Sequence, residues 1–167
     1  MKVDFTPDTA AIKSLARLGL TFRVKDSFDK VEYNGRGDVE TYNDRTQAGL
    51  IGRYKTTAEA MFHYYVKPQA TGNRTDVRWM SLSDTRNSLM VAAKRPFQFS
   101  VTPFSDSVID RATHINQLSR DGMLTVHLDA AQNGVGTATC GPGVAEKYRV
   151  AVKPTNFEFV LYPALAK

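Results

Sequence analysis

Cysteine is almost absent. Cys140 stands alone among 167 residues, which excludes an internal disulfide and any multi-cysteine metal cluster. Tryptophan is as rare, with Trp79 alone. The three histidines, His63, His114 and His127, have no spacing that suits a zinc site. Glycine and proline, 11 and 7 residues, are too few for a fibrous or disordered chain. The longest apolar run, Leu89 to Ala93, falls far short of the ~20 residues a membrane-spanning helix needs. Met1-Lys2 leads at once to Asp4 with no apolar segment behind it, so no signal peptide and no membrane partner are expected. The compartment stays open between cytoplasm and periplasm, because a protein without disulfides suits either.

What is present is a globular composition, 42% hydrophobic and 23% charged, with a net charge of +5. At this length one core suffices, and no repeat or linker divides residues 1–167, so one domain is expected. The basic residues are scattered (Arg17, Arg23, Lys25, Arg45, Arg53, Lys67, Arg74, Arg78) without a block that would track phosphates, so nucleic acid is not an expected partner.

The dominant periodicity is two. Leu18, Leu20, Phe22 and Val24 alternate with Gly19, Thr21 and Arg23, as a half-buried strand requires. Phe97, Phe99 and Val101 repeat the pattern, as do Leu124, Val126 and Leu128, which puts His127 on the outward phase, in solvent. Tyr148, Val150 and Val152 read as a further strand, joined through Pro154-Thr155-Asn156 to Phe157, Phe159 and Leu161. Val77–Leu82 and Leu89–Ala92 are weaker candidates around a turn at 83–87. Helical signals are few: a turn or two over Thr57 to Phe62, a short helix capped by Ser105-Asp106 and running through Ala112, and Thr6-Pro7-Asp8 as a helix start that conflicts with a strand from Leu18. Short strands between turn signals predict an all-β antiparallel sandwich.

Two stretches break the alternation, Asn34 to Arg53 and Gln132 to Gly143. The first holds Gly35 and Gly37, but no third glycine and no helix follow, which argues against a dinucleotide-type phosphate loop. The alternative is a structural loop whose glycines hold special backbone angles, with Glu40, Asp44 and Arg45 as an ion-pair network and Tyr42 packed inward. The second stretch is rich in small residues, the kind of shaped loop that carries binding groups. Cys140 lies in it with no base nearby in sequence to form a thiolate, so it is not expected to be a nucleophile. No pair of acids sits in a recognisable glycosidase motif.

The motifs themselves resemble a known family. Gly35-Arg36-Gly37-Asp38-Val39-Glu40-Thr41-Tyr42-Asn43-Asp44-Arg45 resembles the G-x-G-P-x-E-x-Y-x-D-R signature in the C-terminal, small-chain domain of bacterial β-galactosidases of glycoside hydrolase family 2. Tyr65-Val66-Lys67-Pro68-Gln69 and Gly72-Asn73-Arg74-Thr75-Asp76-Val77-Arg78-Trp79 are similar to that family's next run. Ala112-Thr113-His114, then Leu128-Asp129 and Gln132-Asn133-Gly134-Val135-Gly136, continue the match in order. Asp38 replaces the usual proline, Ala70-Thr71 replaces a Glu-Asn pair, and Cys140 stands where the best-known member has a sugar-site tryptophan.

The resemblance implies a galactose-mutarotase-like supersandwich, present here as its later part without the earlier strands. It implies a non-catalytic role completing the rim of a β-galactosidase cleft, with Gly136, Thr137, Ala138, Thr139, Cys140 and Gly141 as the loop nearest the sugar. Gly35, Gly37, Glu40, Tyr42, Asp44, Arg45 and Arg74 become structural motif residues. The catalytic glutamates and the magnesium and sodium ligands would belong to other domains, leaving no catalytic residue and no cofactor in this chain. Expected partners are the remaining domains or large subunit, a galactoside in that context, and a second copy through an open sheet edge. Two other functions compete: an autonomous carbohydrate-binding module, which needs an exposed aromatic platform although Trp79 is expected to be buried, and a purely structural or oligomerisation domain.

Overall fold

The protein is described from a computed structural model that covers residues 1–8, 12–137 and 141–166. Strands β1 (Lys2–Phe5), β2 (Arg17–Lys25), β3 (Lys30–Arg36) and β4 (Ile51–Thr57) lead into a one-turn helix α1 (Ala58–Met61). Then come β5 (Arg74–Ser83), β6 (Asn87–Thr102), the short helix α2 (Asp106–Arg111), β7 (Met123–Gln132) and β8 (Thr155–Leu165). Both helices start where a side chain can satisfy a free N–H: Thr57 Oγ1 accepts from Ala60 N, and Ser105 accepts from Val108 N.

All pairings between these strands are antiparallel, in one eight-stranded sheet ordered β1-β8-β6-β5-β3-β4, with β7 also on β6 and β2 on β7. The 16-residue strand β6 is the hub. Its first half pairs with β8 from Asn87↔Leu165 to Ala93↔Phe159, and its second half with β7 from Gln98↔Asp129 to Thr102↔Thr125. On the other edge the β5 register jumps between Val77↔Phe97 and Trp79↔Ala92, so the segment 93–96 bulges out of the ladder. Pro96, which has no N–H to donate, falls in that bulge.

The bulge lets two wings, β1-β8 and β2-β7, leave one side of β6 while feeding a single core. Val31, Tyr33, Met80, Leu82, Val91, Phe97, Phe99, Val126, Leu128 and Phe159 are buried together, with Leu20, Phe22 and Leu161 packed against them. Each such side chain contributes roughly 1.5–3 kcal/mol on leaving water. The result is the all-β antiparallel sandwich, its sheet open rather than closed into a barrel.

Several sequence expectations need correction. The runs Leu89–Ala92 and Phe97–Val101 are one strand, interrupted only by the 93–96 bulge. The stretch Asn34–Arg53 begins and ends in paired strands, β3 and β4, and only 37–50 is loop. Tyr148–Val152 is not a strand; Glu146–Tyr148 is a 3₁₀ turn, and Val150 makes a single bridge to Leu15. That bridge stands where a helix from Thr6 was the alternative, and among the described residues no helix precedes β2.

Candidate functional site

The first loop grows from a pinched neck. Gly37 N donates to Leu50 O at 2.7 Å, and Gly37 has φ +66°, a conformation that side chains disfavour. Under the neck lies Arg74 of β5, only 2% exposed. Its guanidinium donates to Tyr33 Oη (2.9 Å), Gly72 O (3.0 Å) and Asp38 O (2.9 Å). Asp38, the departure from proline, takes part in this network through its backbone carbonyl.

Glu40 forms the loop's polar centre. Its carboxylate accepts from Thr71 Oγ1 (2.7 Å), Gly72 N (3.0 Å), Tyr42 Oη (3.2 Å), Arg45 Nη1 (3.1 Å) and the Tyr65 hydroxyl. Burial works to raise its pKa, but the donors Tyr65, Gly72, Thr71 and Tyr42 outweigh it and hold the group below the usual carboxylate range. The same burial, together with the Glu40 charge, pushes the Tyr42 phenol far up. Thr71, one of the two departures at 70–71, is thus a direct partner of Glu40.

Asp44 turns away from the ion pair and into the second loop. Its carboxylate accepts from Val135 N (3.0 Å) and Gly136 N (2.7 Å), more than 90 residues away in sequence. Its neighbour Asn43 donates to Gln132 O at 2.7 Å and accepts from Gln98 Nε2 at 3.0 Å. Asn73 continues the chain, donating to Gln98 Oε1 (2.8 Å) and Thr41 O (2.9 Å). Asn43, Asn73 and Gln98 are the residues that sequence reasoning missed here; Asn43 and Asn73 lay inside the matched motifs, whereas Gln98 gave no signal beyond a polar phase of its strand.

On the second loop Gly136 has φ +59°, and a Cβ there would lie 2.8 Å from Val144 N. Thr137 N and Oγ1 both donate to Pro142 O at 3.1 Å, which ties the two arms of the loop together. Of the residues assigned to the rim, Gly136, Thr137 and Gly141 can be placed, and Thr137 and Gly141 are exposed. Ala138, Thr139 and Cys140 lie outside the described residues.

Elsewhere, His127 is 3% exposed rather than solvated. It does face away from the apolar core, but α2 contributes Asp106, whose Oδ1 lies 2.9 Å from Nε2, while Thr21 Oγ1 lies 2.9 Å from Nδ1. A carboxylate can only accept, so Nε2 carries the proton and Thr21 donates to Nδ1 in the neutral ring. Asp129, also buried, is held by Arg17 through Nη2 at 2.6 Å and Nε at 3.2 Å. Trp79 is half-buried, with the Arg53 guanidinium 5.7 Å above its ring. That cation covers a face a sugar platform would need open. A cleft of about 490 Å³ lies between β1, the 93–96 bulge and the start of β8, and it shares no lining residue with either loop. Among the described residues no three His, Cys, Asp or Glu side chains converge as metal ligands, and no helix is long and apolar enough to cross a membrane.

Comparison with known proteins agrees with this arrangement of motifs. Residues 1–161 match the family profile described as beta galactosidase small chain. A β-galactosidase from Kluyveromyces lactis is 34% identical over 149 residues, covering 87% of this chain and 14% of the relative. One from Staphylococcus xylosus is 29% identical over 147 residues, 88% of this chain and 15% of the relative. One from Arthrobacter sp. (strain B7) is 29% identical over 168 residues, covering 96% and 16%. The chain thus spans only about 15% of the length of the curated relatives it matches, the rest of each lying in other segments. With its whole length but the last six residues inside one profile, the chain belongs to the β-galactosidase small-chain family.

Proposed function

We propose that the chain is a non-catalytic part of a β-galactosidase, completing the rim of the cleft in which the remaining domains hydrolyse terminal β-D-galactosides. The observation that carries this reading is the joining of the two family motifs: the loop after β3 grips the base of the 136–141 loop through Asp44. The small residues of that loop let backbone approach a ligand closely, and its base at Val135 and Gly136 is anchored where a rim must hold its shape. Glycosidase chemistry requires two carboxyl groups facing one bond, roughly 5–10 Å apart. Glu40 is saturated by donors and Asp129 is locked to Arg17, which supports a role outside the chemical step. Cys140 would contribute shape and a modest apolar contact, and magnesium and sodium would belong with the other domains. The partners are those domains and, through them, the galactoside.

Two measurements test this. The purified chain should release no chromophore from a nitrophenyl galactoside, and turnover that follows it through purification would overturn the non-catalytic assignment. In a β-galactosidase carrying this chain, Cys140→Trp should add a stacking face and lower KM, while Cys140→Ala should shift aglycone preference with kcat little changed. Kinetics untouched by both substitutions would leave the 136–141 loop a turn of the sandwich and nothing more.

A further inference from the structure

The geometry points to Asp44 as a positioning residue of the galactoside rim, a clamp that fixes the backbone at Val135 and Gly136, where the rim loop starts, without touching the sugar. This rests on the rim reading above and adds a residue of the other motif to it.

Three observations carry it. Each carboxylate oxygen of Asp44 takes one backbone N–H, Oδ1 from Val135 and Oδ2 from Gly136, so two consecutive peptide units are fixed from one side chain. Hydrogen bonds to a charged acceptor are about twice as strong as neutral ones, and a pair of them to the two oxygens of one carboxylate fixes orientation as well as distance. Second, Gly134 is shaped to the clamp: a Cβ there would lie 2.5 Å from the Asp44 carboxyl carbon and from Oδ2. A side chain at 134 and a carboxylate at 44 therefore cannot both keep their places. Third, the residue where the clamp ends is the residue where the rim begins. Gly136 donates its N–H to Asp44 and has φ +59°, a backbone turn that only glycine takes readily. Asn43 holds the strand end just before it through Gln132 O. Placing the loop from its base matters because a misplacement of the order of 1 Å by a change far from the chemistry can cost an enzyme ~10²-fold.

The clamp makes separable demands on experiment, in a β-galactosidase carrying this chain. Asp44→Ala should raise amide exchange of Val135 and Gly136, and it should raise KM for a nitrophenyl galactoside roughly 5-fold or more while kcat stays within about 2-fold, the pattern of lost binding rather than lost chemistry. Asp44→Asn keeps one acceptor oxygen and should fall between Ala and wild type. Gly134→Ala should reproduce the KM increase by displacing the carboxylate. Adding it to Asp44→Ala should cost little more, since the two changes remove one interaction. Unchanged exchange in Asp44→Ala overturns the clamp itself. Faster exchange with unchanged KM overturns it at the other link, because the loop it positions would then not border the sugar. Equal falls in kcat and thermal midpoint for all variants, with KM unmoved, would reduce Asp44 to a fold residue and also sink the proposal.

Discussion

Glu40 and Arg45 lie 3.1 Å apart, yet Arg45 is the most open of the partners that hold Glu40: its side chain is 54% exposed, whereas that of Glu40 is 11% exposed. The ion pair is therefore the outer lid of a network whose strength lies in Thr71, Gly72, Tyr42 and Tyr65. Exposed pairs are worth at most ~1 kcal/mol, so Arg45→Ala should lower stability by no more than that. Glu40→Ala strands several partly buried donors at ~1–3 kcal/mol for each one left unpaired, and should cost far more. Urea unfolding of the two variants decides it; equal losses would show that the charge pair, not the neutral donors, holds the loop.

The depressed Glu40 carboxyl also predicts a pH dependence. A group whose folded pKa lies below its unfolded value of ~4.3 stabilises the fold fully above that value and loses the contribution as pH falls through the folded pKa. Asp106, Asp84 and Asp121 are shifted in the same direction, so the acid slope of the wild type is shared. Asp129 is shifted up by burial against the pull of Arg17, and its contribution runs the other way, falling as pH rises. The difference between wild type and Glu40→Gln isolates one group. Their unfolding midpoints should differ most at neutral pH and converge toward pH 3. Parallel curves would mean that Glu40 titrates normally.

Arg74 is a buried cation satisfied by carbonyl and phenol oxygens. Its fork reaches Tyr33, Gly72 and Asp38 in fixed directions, which a lysine ammonium on a single flexible stem cannot reproduce. Arg74→Lys should therefore destabilise by ~2 kcal/mol or more, and Arg74→Ala further. A thermal midpoint for Arg74→Lys within a degree of wild type would contradict this.

His127 ties α2 to the sheet through Asp106. His127→Ala should raise amide exchange in the 106–112 segment before the strands open, at a cost of ~1–3 kcal/mol. Exchange that rises uniformly over the whole chain would show instead that the residue serves global packing alone.

Amino-acid pattern by itself determined much of the sandwich. In β2, β7 and β8 apolar residues fall on every second position because one face of each meets the core, and that periodicity survives without knowledge of any partner. The short helices that start after Thr57 and Ser105 were legible because a capping oxygen acts within its own turn. The β3 and β4 strands were not. In β3 the third inward position is Gly35, buried so tightly that a Cβ would lie 2.8 Å from Val77 Cγ2, and the close packing that requires glycine erases the apolar signal. At Tyr148–Val152 an alternation existed, but Glu146–Tyr148 winds into a 3₁₀ turn and, among the described residues, Val150 makes a single bridge, to Leu15. His127 looked solvated because what buries it, α2, comes from a segment some twenty residues earlier. The candidate site divides in the same way. Family motifs marked both loops in the sequence, but the carboxylate of Asp44 meets Val135 and Gly136 only because the ladder from β3 through β5 and β6 to β7 brings the two loops together. A contact across 91 and 92 residues is set by strand register, and register is a property of the assembled sheet rather than of either motif.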